Sequence, residues 1–72
     1  MKTGKIYRQL GQHIQLLRKN THLSQEQLAA RAGINRVYMG NIEQGTKRPS
    51  LEVLAKIANA LELSLAQLFS SI

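Results

Sequence analysis

Apolar residues recur along this chain every three or four positions, the spacing that places them on one face of an α-helix. One such stripe runs through residues 4–20 and another through residues 51–61, each interspersed with polar positions. Over the whole chain the pattern predicts five helices and no strands, and therefore an all-α fold. The two stripes consist of Ile6, Leu10, Ile14 and Leu17 in helix 1 and Leu51, Leu54, Ile57 and Leu61 in helix 4.

Two helix starts are marked by the same six-residue pattern, L-S-x-x-Q-L, at residues 23–28 and 63–68. In this pattern Ser24 accepts a hydrogen bond from the Gln27 backbone N–H, the Gln27 side chain reaches back to the Ser24 N–H, and the flanking leucines pack together. Each such cap is worth about 1 kcal/mol. Helices 2 and 5 are therefore predicted to begin after Ser24 and Ser64.

Residues 25–44 read as two short helices joined by a tight turn. Gly33 supplies a turn residue that tolerates positive φ, and Ala29 supplies a small side chain where the helices cross. Helix 3 is predicted to begin after an N-cap at Asn35 and to end at Gly45. The facing apolar sides are Leu28, Ala29 and Ala32 on helix 2 and Met39 and Ile42 on helix 3. This arrangement is a helix-turn-helix, in which the outer side chains of the second helix stay free.

At this level of detail the chain resembles the small helix-turn-helix repressors of the xenobiotic-response-element and lambdoid-phage-repressor type. It is most similar among them to the controller proteins of restriction–modification operons. Three blocks carry the resemblance over roughly residues 6–70, namely LSQEQLAARAG, NRVYMGNIEQG and KRPSLEVLAKIANAL. The resemblance implies a five-helix, lambda-repressor-like domain that regulates transcription as a repressor or activator, by occluding or recruiting RNA polymerase.

The composition is consistent with one domain over residues 1–72, with the helix-turn-helix at about 24–44 and helices 4 and 5 at about 50–71. The chain has 72 residues and no Cys, which fits a reducing cytosol and excludes disulfides. No apolar run approaches the ~20 residues of a membrane span, and no signal-peptide pattern opens the chain. We therefore expect a cytoplasmic, nucleoid-associated protein without a membrane partner.

The charge is strongly positive and unevenly distributed. The net charge is +6, and residues 1–49 contain nine Lys or Arg against two Glu, whereas residues 50–72 contain one Lys against two Glu. A basic front suits double-stranded DNA and a nearly neutral, Leu-rich rear suits protein contact. Solubility is the alternative explanation for the basic charge, but it does not account for the uneven distribution of that charge between the two parts of the chain.

The outward side chains of helix 3 suit the base edges of a DNA major groove. Arg36 matches guanine O6 and N7 bidentately, a contact worth about 1–3 kcal/mol of discrimination, or it is a solvated or phosphate-contacting charge. Asn41 matches adenine N6 and N7, or a phosphate. Val37 offers methyl groups to thymine or covers the helix start, and Tyr38 meets a thymine or phosphate or packs against helix 2. Gly40 provides either close approach to DNA or clearance against helix 2.

Phosphate contacts are predicted around that helix, where they position the protein without reading sequence. The N-terminus of helix 2 has free N–H groups and a positive dipole end, and the resemblance implies that Gln25 there reaches a phosphate. The resemblance also implies that Arg18 and Glu43 form a partly buried ion pair that orients helix 3. The predicted phosphate-contacting residues are Ser24, Gln25, Asn35, Thr46, Lys47 and Arg48. For the last two of these, a solvated loop charge is the alternative.

The rear of the chain carries more large apolar side chains than a core this small needs. We therefore expect a homodimer interface, with complete burial in the monomer as the alternative. Its predicted residues are Leu61, Leu65, Leu68, Phe69 and Ile72. Two-fold symmetry would place the two copies of helix 3 about 34 Å apart and require a palindromic operator.

Catalysis finds no support in this sequence. The four acidic residues are scattered, and His13 and His22 stand without partners at the spacing of a triad, dyad or metal site. We expect no enzyme activity, no metal, no cofactor and no small-molecule effector. Three alternatives to a controller remain: a phage- or plasmid-type repressor, a DNA-binding antitoxin or adaptor whose main partner is another protein, and a membrane-surface element formed by the basic amphipathic helix 1.

Overall fold

The computed structural model describes residues 3–70. In chain order its elements are α1 (Thr3–Asn20), α2 (Gln25–Ala32), α3 (Arg36–Gln44), α4 (Leu51–Ala60) and α5 (Leu65–Leu68). Over these residues the prediction of five helices and no strands is confirmed. Helices α1 and α2 each pack against α3, α4 packs against α2, and the short α5 contacts α4 and α1.

The helix starts follow from the caps that the sequence contains. The Ser24 Oγ accepts the Gln27 N–H at 3.0 Å, and the Gln27 Oε1 accepts the Ser24 N–H at 2.8 Å. The same reciprocal pair joins Ser64 and Gln67 at 3.1 and 2.9 Å. Each box supplies partners for backbone N–H groups that a helix start leaves free. The other N-caps are Asn35 for α3 and Ser50 for α4.

The first four helices end alike, with one residue in the left-handed conformation followed by an N–H that bonds a carbonyl five positions earlier. Glycine takes the left-handed position at Gly33 and Gly45, with φ of 72° and 78°. His22 and Glu62 take it after α1 and α4, with φ of 60° and 59°. The bonds run from Leu23 to Arg18, Ile34 to Ala29, Thr46 to Asn41 and Leu63 to Ala58.

Helix α5 is shorter than the sequence predicted. It ends at Leu68, and Phe69 already has φ −94° and ψ 2°. The Ser70 Oγ donates to the Gln67 carbonyl oxygen at 2.8 Å, and a serine side chain that bonds nearby backbone in this way competes with continued helix. The predicted interface residue Ile72 lies outside the described residues.

The core lies between the helices and is made almost entirely of aliphatic side chains. Its buried members are Leu10, Ile14, Leu28, Ala29, Ala32, Met39, Ile42, Leu54, Ile57, Ala58, Leu61 and Leu68. The predicted stripes contribute Leu10 and Ile14 from α1 and Leu54, Ile57 and Leu61 from α4, with Leu17 packed against them. The first residue of each stripe does not join this core, because Ile6 is only half-buried and Leu51 is 64% exposed. Burial of such residues is the main favourable term in folding, at about 25 cal/mol per Å² of apolar surface.

Two of the predicted dimer-interface residues belong to this core, and that part of the prediction is wrong. Leu61 is 7% exposed and Leu68 is 0% exposed within a single chain, so neither has appreciable surface left for a second copy. For Leu68 the L-S-x-x-Q-L pattern explains the burial, because its final leucine packs inward as Leu28 does at the start of α2. Leu61 is buried as the last residue of the apolar stripe of helix 4.

Candidate nucleic-acid interface

The turn between α2 and α3 sets the angle at which α3 stands. Gly33 has φ 72° and ψ 29°, and its N–H and that of Ile34 bond back to the end of α2. Nothing lies within 4 Å of the position that a Cβ on Gly33 would occupy, so glycine is favoured here by backbone conformation and not by space. Beyond the turn, the inner face of α3 closes on α2 through Met39 and Ile42, both buried.

A buried ionic network fixes α3 to the two helices behind it. The Arg18 guanidinium donates to both oxygens of Glu43, from Nε at 2.7 Å and from Nη2 at 3.1 Å. Its Nη1 donates to the Leu23 carbonyl at 2.8 Å, and the Gln25 Nε2 donates to Glu43 Oε1 at 3.1 Å. The ion pair implied by the resemblance is therefore present. It joins α1, α2 and α3, and a bidentate pair of this kind also fixes orientation.

Helix α1 approaches the C-terminal half of α3 unusually closely, a feature that sequence reasoning missed. A Cβ on Gly11 would lie 2.3 Å from the Ile42 carbonyl oxygen and 2.5 Å from that of Glu43. Only glycine permits this crossing without a backbone shift. An isolated glycine inside a helical pattern gives no sign of a crossing partner, because the partner is distant in sequence.

The outward face of α3 forms no internal hydrogen bonds through its side chains. Arg36, Val37 and Gln44 are exposed and Asn41 is half-exposed, and none of these four side chains forms a hydrogen bond within residues 3–70. Val37 is 67% exposed, a high value for a β-branched apolar side chain. Gln44 was missed as a candidate, although its position eight residues after Arg36 and three after Asn41 places it on the same helical face.

Tyr38 lies at the edge of this face and is turned partly inward. It is half-buried and packs against the hydrophobic core. Of the alternatives for this residue, packing is therefore observed, while its contact with DNA stays a prediction.

One of the two explanations for glycine at position 40 is excluded. A Cβ on Gly40 would lie 3.5 Å from the Gln25 Oε1, an ordinary van der Waals distance, so clearance against α2 does not require glycine.

The residues predicted to contact phosphate next to α2 and at the start of α3 already use some of their side-chain donors and acceptors within the protein. The Gln25 amide donates to Glu43, Ser24 Oγ accepts its capping bond, and Asn35 Oδ1 accepts the Tyr38 N–H at 2.7 Å. What remains toward an anion is one N–H of the Gln25 amide, the hydroxyl hydrogen of Ser24 and the Asn35 amide hydrogens. Their predicted role is untested, and the geometry leaves donors for it.

The loop after α3 presents exposed residues on a fixed backbone. Thr46 donates from both its N–H and its Oγ1 to the Asn41 carbonyl, at 3.0 and 3.1 Å, and so caps the end of α3. Lys47 and Arg48 are exposed. The guanidinium carbon of Arg48 lies 5.7 Å from the centre of the Tyr7 ring on α1, within cation–π range.

The rear of the molecule keeps a smaller apolar surface than predicted. Leu65 and Phe69 are half-buried and pack against the core while retaining exposed surface.

Within residues 3–70 there is no cluster of three or more His, Cys, Asp or Glu that could hold a metal ion. Among the helices formed by those same residues, none combines the length and the apolar character needed to cross a bilayer.

Comparison with known proteins agrees with this geometry. The helix-turn-helix family HTH_3 matches residues 14–68. Control protein C.MunI of a Mycoplasma species is 43% identical over 63 residues, covering 86% of this chain and 85% of its own length. The crystal structure of the restriction-modification controller protein C.AhdI from Aeromonas hydrophila superposes with a TM-score of 0.92 at 35% identity, covering 96% of this chain and 100% of that one.

Some relatives are longer than this chain. An uncharacterized HTH-type transcriptional regulator of Mycobacterium tuberculosis is 39% identical over 59 residues, which cover 82% of this chain but 42% of the regulator. The chain therefore spans about two fifths of the length of that relative.

Proposed function

The chain belongs to the helix-turn-helix family HTH_3, and on this basis we propose that it is a sequence-specific, DNA-binding transcriptional regulator. The most specific version is a controller protein of a restriction–modification operon, because C.MunI and C.AhdI are matched over most of their own length. In this role it is not an enzyme and needs no cofactor.

One observation carries the proposal, namely that α3 has one face fixed and the other face free. The fixed face includes Glu43, whose side chain is 1% exposed and bonded to α1 and α2. The free face presents a cation, two amides and an apolar group, and none of these side chains forms a hydrogen bond inside the described chain. A rigid helix bearing unengaged donors and acceptors suits a major groove about 12 Å wide.

Each proposed base contact follows from side-chain chemistry. Arg36 donates bidentately to guanine, Asn41 pairs with adenine, and Val37 contacts a thymine methyl group. Tyr38 contributes its hydroxyl from the edge of the face. Gln44 joins this set because it lies on the same free face. The phosphate-contacting set is as predicted from sequence: Ser24, Gln25, Asn35, Thr46, Lys47 and Arg48.

The protein is proposed to act as a homodimer on a palindromic operator, in the cytoplasm and next to the nucleoid. The interface is narrower than the sequence suggested, because Leu61 and Leu68 are used within the monomer. Leu65 and Phe69 retain apolar surface at the rear and are its proposed centre. A bound dimer would then occlude or recruit RNA polymerase, according to where the operator lies.

Selection of bound sites from random duplex DNA, followed by affinity measurements on two variants, tests this proposal. Arg36→Ala is expected to reduce discrimination at one base pair by about 5- to 150-fold, the equivalent of 1–3 kcal/mol. Lys47→Ala is expected to weaken binding to all sequences by a similar factor and to lower the salt dependence by about one phosphate contact per protomer. Lys56→Ala, on the exposed face of α4, controls for the loss of one positive charge.

The selection itself can overturn the proposal. A protein that binds every duplex equally, with no sequence enriched after repeated selection, is not a sequence-specific regulator. Sedimentation of the free protein checks the dimer separately, because a monomer at micromolar concentration would contradict a stable rear interface.

A further inference from the structure

The N-terminal part of α1 and the loop after α3 form one continuous surface. A Cβ on Gly45 would lie 2.7 Å from the Arg8 Cα and 3.2 Å from the Arg8 Cβ, so the end of α3 rests directly on the backbone of α1 at this residue. One residue earlier, the Tyr7 ring lies beneath the Arg48 guanidinium at 5.7 Å. Residues 7–8 and 45–48 are thus neighbours although they are far apart in sequence.

This surface is positively charged and lacks a counter-charge. Arg8, Lys47 and Arg48 are all exposed. The ion pairs found within residues 3–70 join Arg18 to Glu43 and Lys56 to Glu52, and both lie elsewhere. Three cations held near one another in this way repel, and a polyanion bound across them relieves that repulsion.

We propose that Arg8 is a DNA-phosphate contact and that Tyr7 positions Arg48 for the same task. Together with Lys47 they form a two-element clamp on the phosphate backbone, hereafter the α1–loop clamp. The inference rests on the proposed DNA-binding function and extends it to the N-terminal part of α1, where no phosphate contact was predicted from sequence.

The placement of the clamp relative to α3 supports this assignment. Helix α3 has nine residues and is therefore about 13 Å long at 1.5 Å per residue, close to the width of the major groove. A helix that reads bases along this length brings its C-terminal end toward one wall of the groove. Phosphates line that wall, and the clamp lies at that end of α3.

The test is the salt dependence of binding to a labelled duplex, measured with the full chain at about 50 to 200 mM salt. Arg8→Gln keeps the backbone and the Cβ that lie against Gly45 and removes the charge. Because the proposed dimer contains two copies of Arg8, this variant is expected to lower the slope of log affinity against log salt by about 1.8, which is about 0.9 for each of two phosphate contacts. Arg8→Lys should restore the slope, and Lys56→Gln should leave it at the wild-type value.

A second comparison isolates the role of Tyr7. Tyr7→Phe keeps the ring under Arg48 and should bind like wild type. Tyr7→Leu should weaken binding in the wild-type chain but have no further effect in an Arg48→Gln background, because a positioning residue acts only through its partner. Equal effects of Tyr7→Leu in both backgrounds would overturn its positioning role.

The result can separate this inference from the function on which it rests. If the chain selects an operator but Arg8→Gln behaves like Lys56→Gln, the clamp is refuted and the proposed function stands. If no sequence is selected but Arg8→Gln still lowers the slope, the clamp stands and sequence-specific function fails. If the chain binds no duplex at all, both are refuted.

Discussion

Single glycines decide how closely α1 and α3 approach each other. The Cβ that is missing at Gly11 would meet two backbone carbonyls of α3, whereas at Gly4, also within α1, there is nothing within 4 Å of that position. The same residue type in the same helix thus has opposite structural significance. The sequence could not distinguish the two, since the difference lies in a neighbour more than thirty residues away.

These two glycines give a matched pair of substitutions. Gly11→Ala is expected to lower the free energy of unfolding by about 3 kcal/mol, the upper end of the range for an overpacked site, because backbone has to move. Gly4→Ala should raise it by up to about 1 kcal/mol through better helix propensity. Urea denaturation followed by circular dichroism measures both. Equal midpoints for the two variants would show that α1 and α3 do not cross so closely.

Other features at this scale were predictable because they are local or face-specific. The caps at Ser24 and Asn35 follow from the residues within three positions of them. Arg36 and Asn41 were found as outward residues by helical spacing alone. Gln44 was overlooked although the same spacing includes it. Packing of Tyr38 was one of the alternatives from sequence, but helical spacing could not choose it, because a helical wheel does not show the apolar neighbours of the ring.

At the scale of elements, α1 and α4 reach the next helix through the same connection. Each ends in a left-handed residue, His22 or Glu62, and each is followed by leucine, serine and a capping box. The recurrence of L-S-x-x-Q-L in the sequence marked the helix starts. It did not reveal the left-handed residue in front, because neither position is glycine.

This connection predicts a stabilising substitution. A residue with a Cβ costs about 1–2 kcal/mol in the left-handed conformation, so His22→Gly should raise the free energy of unfolding by up to about 1 kcal/mol after the entropy of glycine is counted. His22→Ala keeps the Cβ and should change little. Thermal unfolding compares them, and a glycine variant no more stable than the alanine variant would contradict the assigned φ of 60°.

At the scale of the whole molecule, the hydrogen-bond network around the Arg18–Glu43 pair fixes three helices relative to one another. The apolar pattern predicted which faces close on each other, but a pattern of apolar positions cannot show that an arginine and a glutamate meet inside. That contact was available only from the family resemblance. The extent of the dimer interface could not be predicted from the sequence either. A stripe of leucines has the same spacing whether it packs within one chain or between two chains.

Removal of one partner of this pair should be severe. Glu43→Leu leaves a largely buried arginine without its counter-charge and is expected to lower the free energy of unfolding by about 3–5 kcal/mol. A domain of 72 residues has about 4–11 kcal/mol in total, so this loss is a large fraction of the whole free energy of unfolding. Arg18→Met in the same chain should recover much of the loss, since an apolar pair replaces the ionic one.

A double-mutant cycle by urea denaturation measures the coupling between the two side chains. The single variants Arg18→Met and Glu43→Leu provide the references. Strictly additive losses in the double variant would show that the two groups do not depend on each other, in contradiction to the 2.7 Å contact.

The side chains that hold α3 in place and those that face outward from it are separate sets. Exchange of Arg36, Val37, Asn41 and Gln44 therefore disturbs no internal bond, and surface substitutions of this kind usually alter stability by less than about 0.5 kcal/mol. Such a scaffold can acquire a new target by a few point mutations while remaining folded at every step. Genes that descend from one ancestor could then come to encode regulators that do not bind one another's operators, and every intermediate protein would still fold.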